Sequence, residues 1–405
     1  MTTTRIAIIG SGFAGTWAAL SAARARALAG RGPDDLEIAV ISPQPTLVIR
    51  PRLYEAALEE MTPDVKALFD RVEVRHIAAR VDRIDCGARK LHLVATQGQG
   101  RTTHAYDRLV LAAGSVLNLP PIPGLQDHAF NVDQIEGARA LDRHLRALAR
   151  EPGLSARDTV VVAGGGFTGI ETATELPQRL RDLFGADAKL RVVLVERADH
   201  VGPDLGPGPR PQIEQALREL GVEVRTGVAA AAVDAGGLVL EGGERIEART
   251  VIWTAGVRAH PLAEQIAGER DRFGRLHVAE TLRVKGAVDV YATGDVAFAA
   301  TDDTGHHALM SCQHAIALGR AAGHNVAAQL LGLPVHPYRQ EKYVTCLDLG
   351  AWGAVFTEGW GRQVKFQGRE GKNIKRTINN QWIYPPTGDR EAVLAAADPA
   401  IPVVA

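Results

Sequence analysis

The sequence predicts an α/β fold of parallel sheets with a smaller piece at the C-terminus. Three observations point to it. Short apolar runs alternate with helical stretches over most of the 405 residues. The pattern G-x-G-x-x-G occurs twice, as Gly10-Ser11-Gly12-Phe13-Ala14-Gly15 and as Gly164-Gly165-Gly166-Phe167-Thr168-Gly169. Several apolar runs also close on small residues, as Leu109-Val110-Leu111-Ala112-Ala113-Gly114 does.

Taken in order, Arg5-Ile6-Ala7-Ile8-Ile9 is a strand, and the first glycine pattern turns it into a helix. In that setting the first glycine makes the tight turn and the second lets the backbone approach a pyrophosphate. The third permits close helix–strand packing, and the helix N-terminus offers free N–H groups to phosphate. Glu37 to Ile41 is the second strand of this unit, and Arg108 to Gly114 a later, buried one. Pro120, Pro121, Pro123 and Gly124 break the chain where it crosses to a second unit. There Thr159-Val160-Val161-Val162-Ala163 feeds the second pattern, with a strand over Leu190 to Glu196 and an amphipathic stretch over Gln212 to Leu220. Val251 to Gly256 and Val288 to Asp295 are further strands ending in small residues, and His314 to Leu331 is an alanine-rich helix. Two Rossmann-like dinucleotide-binding domains therefore account for most of the chain, and two bound dinucleotides imply electron transfer between them.

Composition narrows the class. A formal net charge of -1 gives no electrostatic case for nucleic acid. Cys86, Cys312 and Cys346 are far apart, with no C-x-x-C pair, so no metal site is expected. Ile6 to Leu20 has the apolar look of an export signal, but the glycine spacing explains the same residues better. No apolar run approaches the roughly 18 residues of a membrane span, and the expected location is the cytoplasm.

An acidic residue closing the second strand of such a unit normally binds the ribose hydroxyls. Glu196 holds that place in the second unit, 27 residues after Gly169, and its charge favours NADH over NADPH. Arg197 follows at once. The first unit has Ser42 there, which can still hydrogen-bond a ribose. Asp295, after Gly294, sits where a strand end meets a loop and can accept a hydrogen bond from a ribityl hydroxyl.

Together with the two glycine patterns, Arg50-Pro51-Arg52-Leu53-Tyr54-Glu55-Ala56, Ile170-Glu171, Glu175-Leu176, Trp253-Thr254-Ala255-Gly256-Val257-Arg258-Ala259 and Gly294-Asp295 make the chain resemble the flavoproteins with two dinucleotide-binding domains, glutathione reductase-like in fold. Within that pyridine nucleotide-disulfide oxidoreductase group it is most similar to type II NADH dehydrogenases. The resemblance implies a discontinuous FAD domain (1–117 and 259–335), an NAD(P)H domain (118–258) and a C-terminal domain (336–405) forming the acceptor side. It implies FAD and NADH as cofactors and a quinone as acceptor. The residues it places around the two dinucleotides are Gly10, Gly12, Phe13, Ala14, Gly15, Ser42, Arg50, Ala113, Gly114, Gly294 and Asp295, with Gly164, Gly166, Phe167, Thr168, Gly169, Glu196 and Gly256.

Three residues are candidates for chemistry. Glu171 lies one short turn into the second fingerprint helix, where the resemblance puts a carboxylate between nicotinamide and flavin; the plain alternative is an acid stabilised by the helix dipole. Gln313 and His314 stand where the resemblance puts residues beside the flavin ring, although the Ala-Gln-x-Ala-x-Gln of quinone-linked members reads Cys312-Gln313-His314-Ala315-Ile316-Ala317 here. His314 is alternatively a satisfied polar residue at a helix start. Three other readings stay open: a soluble oxidoreductase with a non-quinone acceptor, an enzyme similar to sulfide:quinone reductases, and a nucleotide-binding sensor. Tyr343-Val344-Thr345-Cys346 resembles one cysteine site of the sulfide enzymes, but no cysteine stands near the second fingerprint to pair with it, so Cys346 reads as an inert buried thiol. Lys372, Lys375 and Arg376, followed by Trp382 and Tyr384, fit either a bilayer interface on the inner face of the cell membrane or packing on the protein's own body. Homodimers are common among such flavoproteins, which makes a homodimer an open expectation.

Overall fold

The computed structural model describes residues 3–96 and 100–403. The first sheet has seven strands in the order Val290–Ala292, Arg108–Leu111, Thr4–Ile9, Leu36–Ser42, Arg75–Asp85, Lys90–Ala95 and Arg101–Ala105. The first five run parallel and the last two turn back antiparallel. Ile6 and Ile8 are wholly buried, as befits strands covered on both faces. Chain order reverses beside Thr4–Ile9, whose neighbours are the second strand and the later Arg108–Leu111. Open α/β sheets bind ligands beyond the strand ends at such a switch point.

The second sheet repeats the plan with five parallel strands, in the order Val222–Arg225, Arg191–Val195, Thr159–Ala163, Thr250–Trp253 and Ala129–Phe130. A three-stranded antiparallel sheet (Ala230–Asp234, Gly237–Leu240, Arg245–Glu247) shares an apolar cluster with it. Between the two sheets, Ser115–Leu117 and Val257–Ala259 pair antiparallel where the chain leaves the first sheet and later comes back. Most expected elements fall within a residue or two of their anticipated bounds. Three are shorter. The Arg108 to Gly114 and Val251 to Gly256 runs leave the strand at Leu111 and Trp253, before their small residues. Only Val290–Ala292 of the Val288 to Asp295 run is strand, Val288 lying exposed in the turn after Gly286.

Two helices fix the first fingerprint in place. Phe13–Leu28 is buried almost all round, which suits an alanine-rich helix packed on several sides. Against it lies Cys312–Leu331. Gly319 and Gly323, four residues apart, face the first helix: a Cβ on them would come 2.5 Å from the Ala14 carbonyl oxygen and 2.0 Å from that of Ala18. Only glycine allows this approach. The chain ends in a three-stranded antiparallel meander (Val344–Asp348, Ala354–Glu358, Gln363–Gln367), a helix (Gly368–Thr377) extended by a π turn (Ile378–Trp382), and a short helix (Arg390–Ala396). Among the described residues, no helix is long and apolar enough to cross a membrane.

Candidate functional site

Both fingerprints occupy the same point of their sheets. Ile9 is in register with Ile41 and Leu111, and the Gly10 N–H donates to the Ile41 carbonyl at 2.9 Å. Ala163 is in register with Val195 and Trp253, and the Gly164 N–H donates to the Val195 carbonyl at 2.8 Å. Gly10 and Gly164 hold φ of +106° and +117°, which side-chain-bearing residues rarely adopt. A Cβ on Gly15 would stand 1.9 Å from the Gly10 carbonyl oxygen, and one on Gly169 1.7 Å from that of Gly164. Around Gly12 and Gly166, by contrast, a Cβ would meet nothing within 4 Å. The first and third glycines are thus dictated by turn and packing, and the middle one leaves space above the chain. Neither helix has a side-chain cap or an acid in its first turn, so their N–H groups suit phosphate oxygens. The late helix differs in being capped by Ser311.

Several first-unit candidates meet around one arginine. Arg50 pairs with Asp133 at 2.6 Å, donates to the Ser115 hydroxyl at 3.0 Å and lies 3.5 Å from Asp295, to which Ser115 donates at 2.6 Å. Burial works to lower the Arg50 pKa, but the Asp133 and Asp295 charges hold it above its ordinary value. Gly114 (φ +70°) is beside the Arg50 guanidinium, and Ala113 is beside Gly10. Gly294 packs on the fingerprint helix, its would-be Cβ 2.7 Å from that of Ala14, which brings Asp295 to the glycine turn. Phe13 is buried in the core under the same helix. Ser42 closes its strand as expected, but its hydroxyl donates to the Gln44 carbonyl at 2.7 Å and meets His76 Nε2 at 2.9 Å. It is satisfied within the protein.

In the second unit Glu196 folds back over the glycines. Its carboxylate accepts from the Gly165 N–H at 2.6 Å and the Ala198 N–H at 2.8 Å, leaving lone pairs for ribose hydroxyls. Thr254 donates to the Gly164 carbonyl at 2.8 Å and Trp253 Nε1 to the Asn118 carbonyl at 2.9 Å, so the Trp253 to Ala259 run braces this fingerprint. Gly256 sits in that run with φ +90°. Thr168 is exposed at the helix start, and Phe167, half-buried, has the Lys375 ammonium 5.8 Å from its ring centre.

Glu171 is not a surface acid at a helix end. It is buried, pairs with Lys375 at 2.7 Å and accepts the Asp348 N–H at 3.0 Å. Lys375 is equally buried and also donates to the Cys346 carbonyl at 3.0 Å; Lys372 pairs with Asp348. The bilayer-interface reading of Lys375 is therefore corrected: its ammonium lies inside, drawn to the Glu171 carboxylate. Burial pushes the Glu171 carboxyl up to about 7, more than Lys375 pulls it down. Lys375 stays above its ordinary value: burial opposes its charge most strongly, but the groups facing it, Glu171 first and then Cys346 and Asp348, together outweigh that. Asp348 and Lys375 are functional candidates the sequence reading missed, and only the fold brings them to Glu171.

Gln313 donates to the Val344 carbonyl at 3.3 Å and accepts from the Gln340 amide at 3.2 Å. His314 is wholly buried and turned aside: its Nδ1 meets the Ser311 hydroxyl at 2.9 Å, and its ring lies 5.2 Å from that of Tyr343. Burial, reinforced by Arg275 and Arg362, drops its pKa to about 3, so the imidazole is neutral. From Gln340 and Ala317 a groove of about 720 Å³ runs to Leu28 and Leu333, walled by Ala321 and by Pro399 to Val403. Cys346 is buried and burial lifts its thiol to about 12; no disulfide joins the three cysteines.

Residues 4–319 match the sequence profile of the pyridine nucleotide-disulphide oxidoreductases. The chain belongs to that family. Among its relatives in the family is the NADH dehydrogenase-like protein Rv1812c of Mycobacterium tuberculosis, 48% identical over 98% of this chain and 99% of that one. Demethylphylloquinone reductase NdbB of Synechocystis is 28% identical over 95% of this chain and 97% of its own. In fold it is similar to NDH2 from Plasmodium falciparum in complex with NADH, with a TM-score of 0.76 at 14% identity, covering 98% of this chain and 97% of that one. The protein is accordingly an oxidoreductase, and its α/β fold of paired dinucleotide-binding units is that of the family's flavoprotein reductases.

Proposed function

We propose that the protein is an FAD-dependent NADH dehydrogenase that passes electrons to a quinone-type acceptor. The observation that carries the reading is the pair of uncapped glycine turns of equal geometry, only the second closed by a carboxylate. Gly10 to Gly15, with Asp295 and Arg50 beside them, would hold FAD. Gly164 to Gly169 would hold NADH with its ribose on Glu196, whose charge repels the extra phosphate of NADPH. Bound flavin supplies a carrier that accepts a hydride and releases electrons to a second substrate. The relatives named above as an NADH dehydrogenase-like protein and a demethylphylloquinone reductase support this assignment.

The chain's own part is to bind, orient and manage a proton. Glu171, titrating near neutrality, holds or releases a proton at its carboxyl while Lys375 fixes its position. Gln313, held by Gln340 and the Val344 carbonyl, presents an amide at the late helix start. The groove beside Gln340 has an apolar wall of Leu28, Ala317, Ala321 and Leu333 that fits the hydrocarbon part of a quinone, with Arg24, Arg339 and Lys342 also lining it. A sulfur mechanism is disfavoured, because Cys346 is buried and its raised pKa keeps it a thiol rather than the reactive thiolate.

The test is anaerobic reoxidation of the NADH-reduced holoprotein by quinones with and without an isoprenoid tail, and by soluble one-electron carriers. Tailed quinones should reoxidise it fastest. Equal or faster reoxidation by the soluble carriers would overturn the quinone assignment.

A further inference from the structure

Lys375 is not alone in fixing the Glu171 carboxyl. Among the described residues, both hydrogen bonds to it end on Oε1: the Lys375 ammonium at 2.7 Å and the Asp348 N–H at 3.0 Å. Both partners can only donate, so the oxygen they share stays bare and a carboxyl proton belongs on Oε2. Asp348 is in turn held by its own side chain. Its Oδ1 accepts the Gly350 N–H at 2.9 Å and the Lys372 ammonium, and its Oδ2 accepts the Tyr54 hydroxyl at 3.2 Å. Asp348 and Tyr54 are both buried, where a carboxylate persists only if its oxygens are satisfied. The turn that follows presses on the helix carrying Glu171: a Cβ on Gly350 would stand 2.1 Å from the Thr174 carbonyl oxygen. The Asp348 side chain thus closes a turn whose first N–H is aimed at Glu171.

Tyr54 brings the first unit into this cluster. It belongs to the segment that opens at Arg50, the arginine beside Asp295, and the Leu53 N–H donates back to the Arg50 carbonyl at 3.1 Å. The Tyr54 carbonyl accepts from Arg179, on the same helix as Glu171, at 3.4 Å. Burial, then the charges of Glu171 and Asp348, hold the phenol well above its ordinary value, so the hydroxyl keeps its hydrogen and donates it. Three parts of the chain therefore meet at one buried carboxyl: Tyr54 from the first unit, Glu171 from the second, and Asp348, Lys372 and Lys375 from the C-terminal piece.

The titratable and charged groups facing Glu171 are Lys375 on the Gly368–Thr377 helix, Asp348 and Cys346 on the Val344–Asp348 strand, and Tyr54. Asp348 also faces Lys372 and Glu175. Burial is the largest influence on the Glu171 carboxyl and Lys375 the next; Asp348 then acts on it twice, in opposite directions. Its charge pushes the carboxyl up, and its N–H pulls it down. Only the second influence depends on where the turn stands, which makes charge and position separable by substitution.

We propose that Tyr54 and Asp348 are positioning residues for Glu171: they hold the Asp348 N–H against Oε1, keep the carboxyl proton on Oε2, and let the Arg50 segment of the first unit govern how firmly that proton is held. The inference rests on the dehydrogenase reading only in giving the proton a use, as the one that a quinone takes up beyond the hydride on becoming a quinol. The first measurement needs no turnover. In the purified holoprotein, the infrared band of the protonated Glu171 carboxyl is the one that Glu171→Gln removes, and its titration gives the pH at which the proton leaves. Tyr54→Phe takes away one hydroxyl and little volume. It should slacken the Asp348 N–H contact and move the midpoint up by about half a unit. Asp348→Asn keeps the backbone N–H but deletes the charge and frees Lys372, so the midpoint should move down by about one unit. General loosening of the structure does not produce shifts of opposite sign. A midpoint that stays or falls in Tyr54→Phe would overturn the proposal, as would a folded Asp348→Asn whose midpoint is not lowered. So would the absence of any titrating band that Glu171→Gln removes. Tyr54→Phe alone decides the matter where Asp348→Asn does not fold. The pH profile of quinone-dependent turnover then tests the use of the proton, and its midpoint should move with the infrared midpoint in each variant. Infrared shifts as expected beside a turnover profile that does not follow them would leave the positioning role standing and refute the part given to Glu171 in the dehydrogenase reading.

Discussion

Replacing Glu171 by Gln should make the protein relatively more stable as pH rises, although it deletes a buried ion pair. Two effects compete at this carboxyl. Burial opposes its charge and Lys375 favours it, and burial wins, leaving the group titrating at about 7 rather than at its ordinary 4.5. Between those values the folded state holds a proton that the unfolded chain has released. Stability contributed by Glu171 is therefore fully present below about 4.5 and lost as pH rises through about 7. At about 1.4 kcal/mol for each tenfold change in proton affinity, the loss comes to about 3 kcal/mol. For a chain of this size that corresponds to roughly 4 °C in melting temperature. Gln cannot titrate, so the variant escapes the loss. Melting followed by circular dichroism at about pH 5 and about pH 8 gives the comparison, each variant set against wild type at the same pH. The variant's melting temperature relative to wild type should climb by those few degrees. A relative melting temperature that stays level or falls would mean that the attraction of Lys375 outweighs burial, and would refute the reasoning.

Other outcomes follow from the same geometry. Gly15→Ala puts a Cβ 1.9 Å from the Gly10 carbonyl oxygen, so the purified protein should carry much less flavin and lose about 1–3 kcal/mol of stability by denaturant titration. Glu196→Ala removes the charge beside Gly165; the ratio of kcat/KM for NADH to that for NADPH should fall about tenfold or more, and an unchanged ratio would reject the ribose assignment. Cys346→Ser should leave turnover unchanged, because the thiol is buried and raised to about 12; a large loss with flavin retained would reopen a cysteine mechanism.

Local constraint decided which features could be seen in the sequence. The fingerprints were legible because Gly10, Gly15, Gly164 and Gly169 are forced by positive φ or by contacts that a Cβ would violate, and such forcing repeats at fixed spacing. Parallel strands were legible as apolar runs because both faces are buried. The strands over Arg75–Asp85 and Arg101–Ala105 carry fewer apolar residues and went unread. At the site, Glu171 was visible from its place on a recognised helix, but its partner Lys375 stands 204 residues away. Beside Arg376 and Trp382, that lysine looked like part of a basic surface. Arg50 was legible by resemblance, whereas Asp133, which holds it, lies 83 residues off in an unremarkable loop. Pairings of this kind are properties of the fold.

The central claim is that the two glycine turns hold different dinucleotides and that electrons pass from the second to the first. Anaerobic stopped-flow mixing with NADH, following visible flavin absorbance in wild type and Gly169→Ala, tests it most directly. In wild type NADH should bleach the flavin rapidly. In Gly169→Ala, where a Cβ would stand 1.7 Å from the Gly164 carbonyl oxygen, the flavin should be retained but reduced at least tenfold more slowly at low NADH. Flavin that stays oxidised in wild type, or a Gly169→Ala protein that is reduced as fast as wild type, would contradict the account.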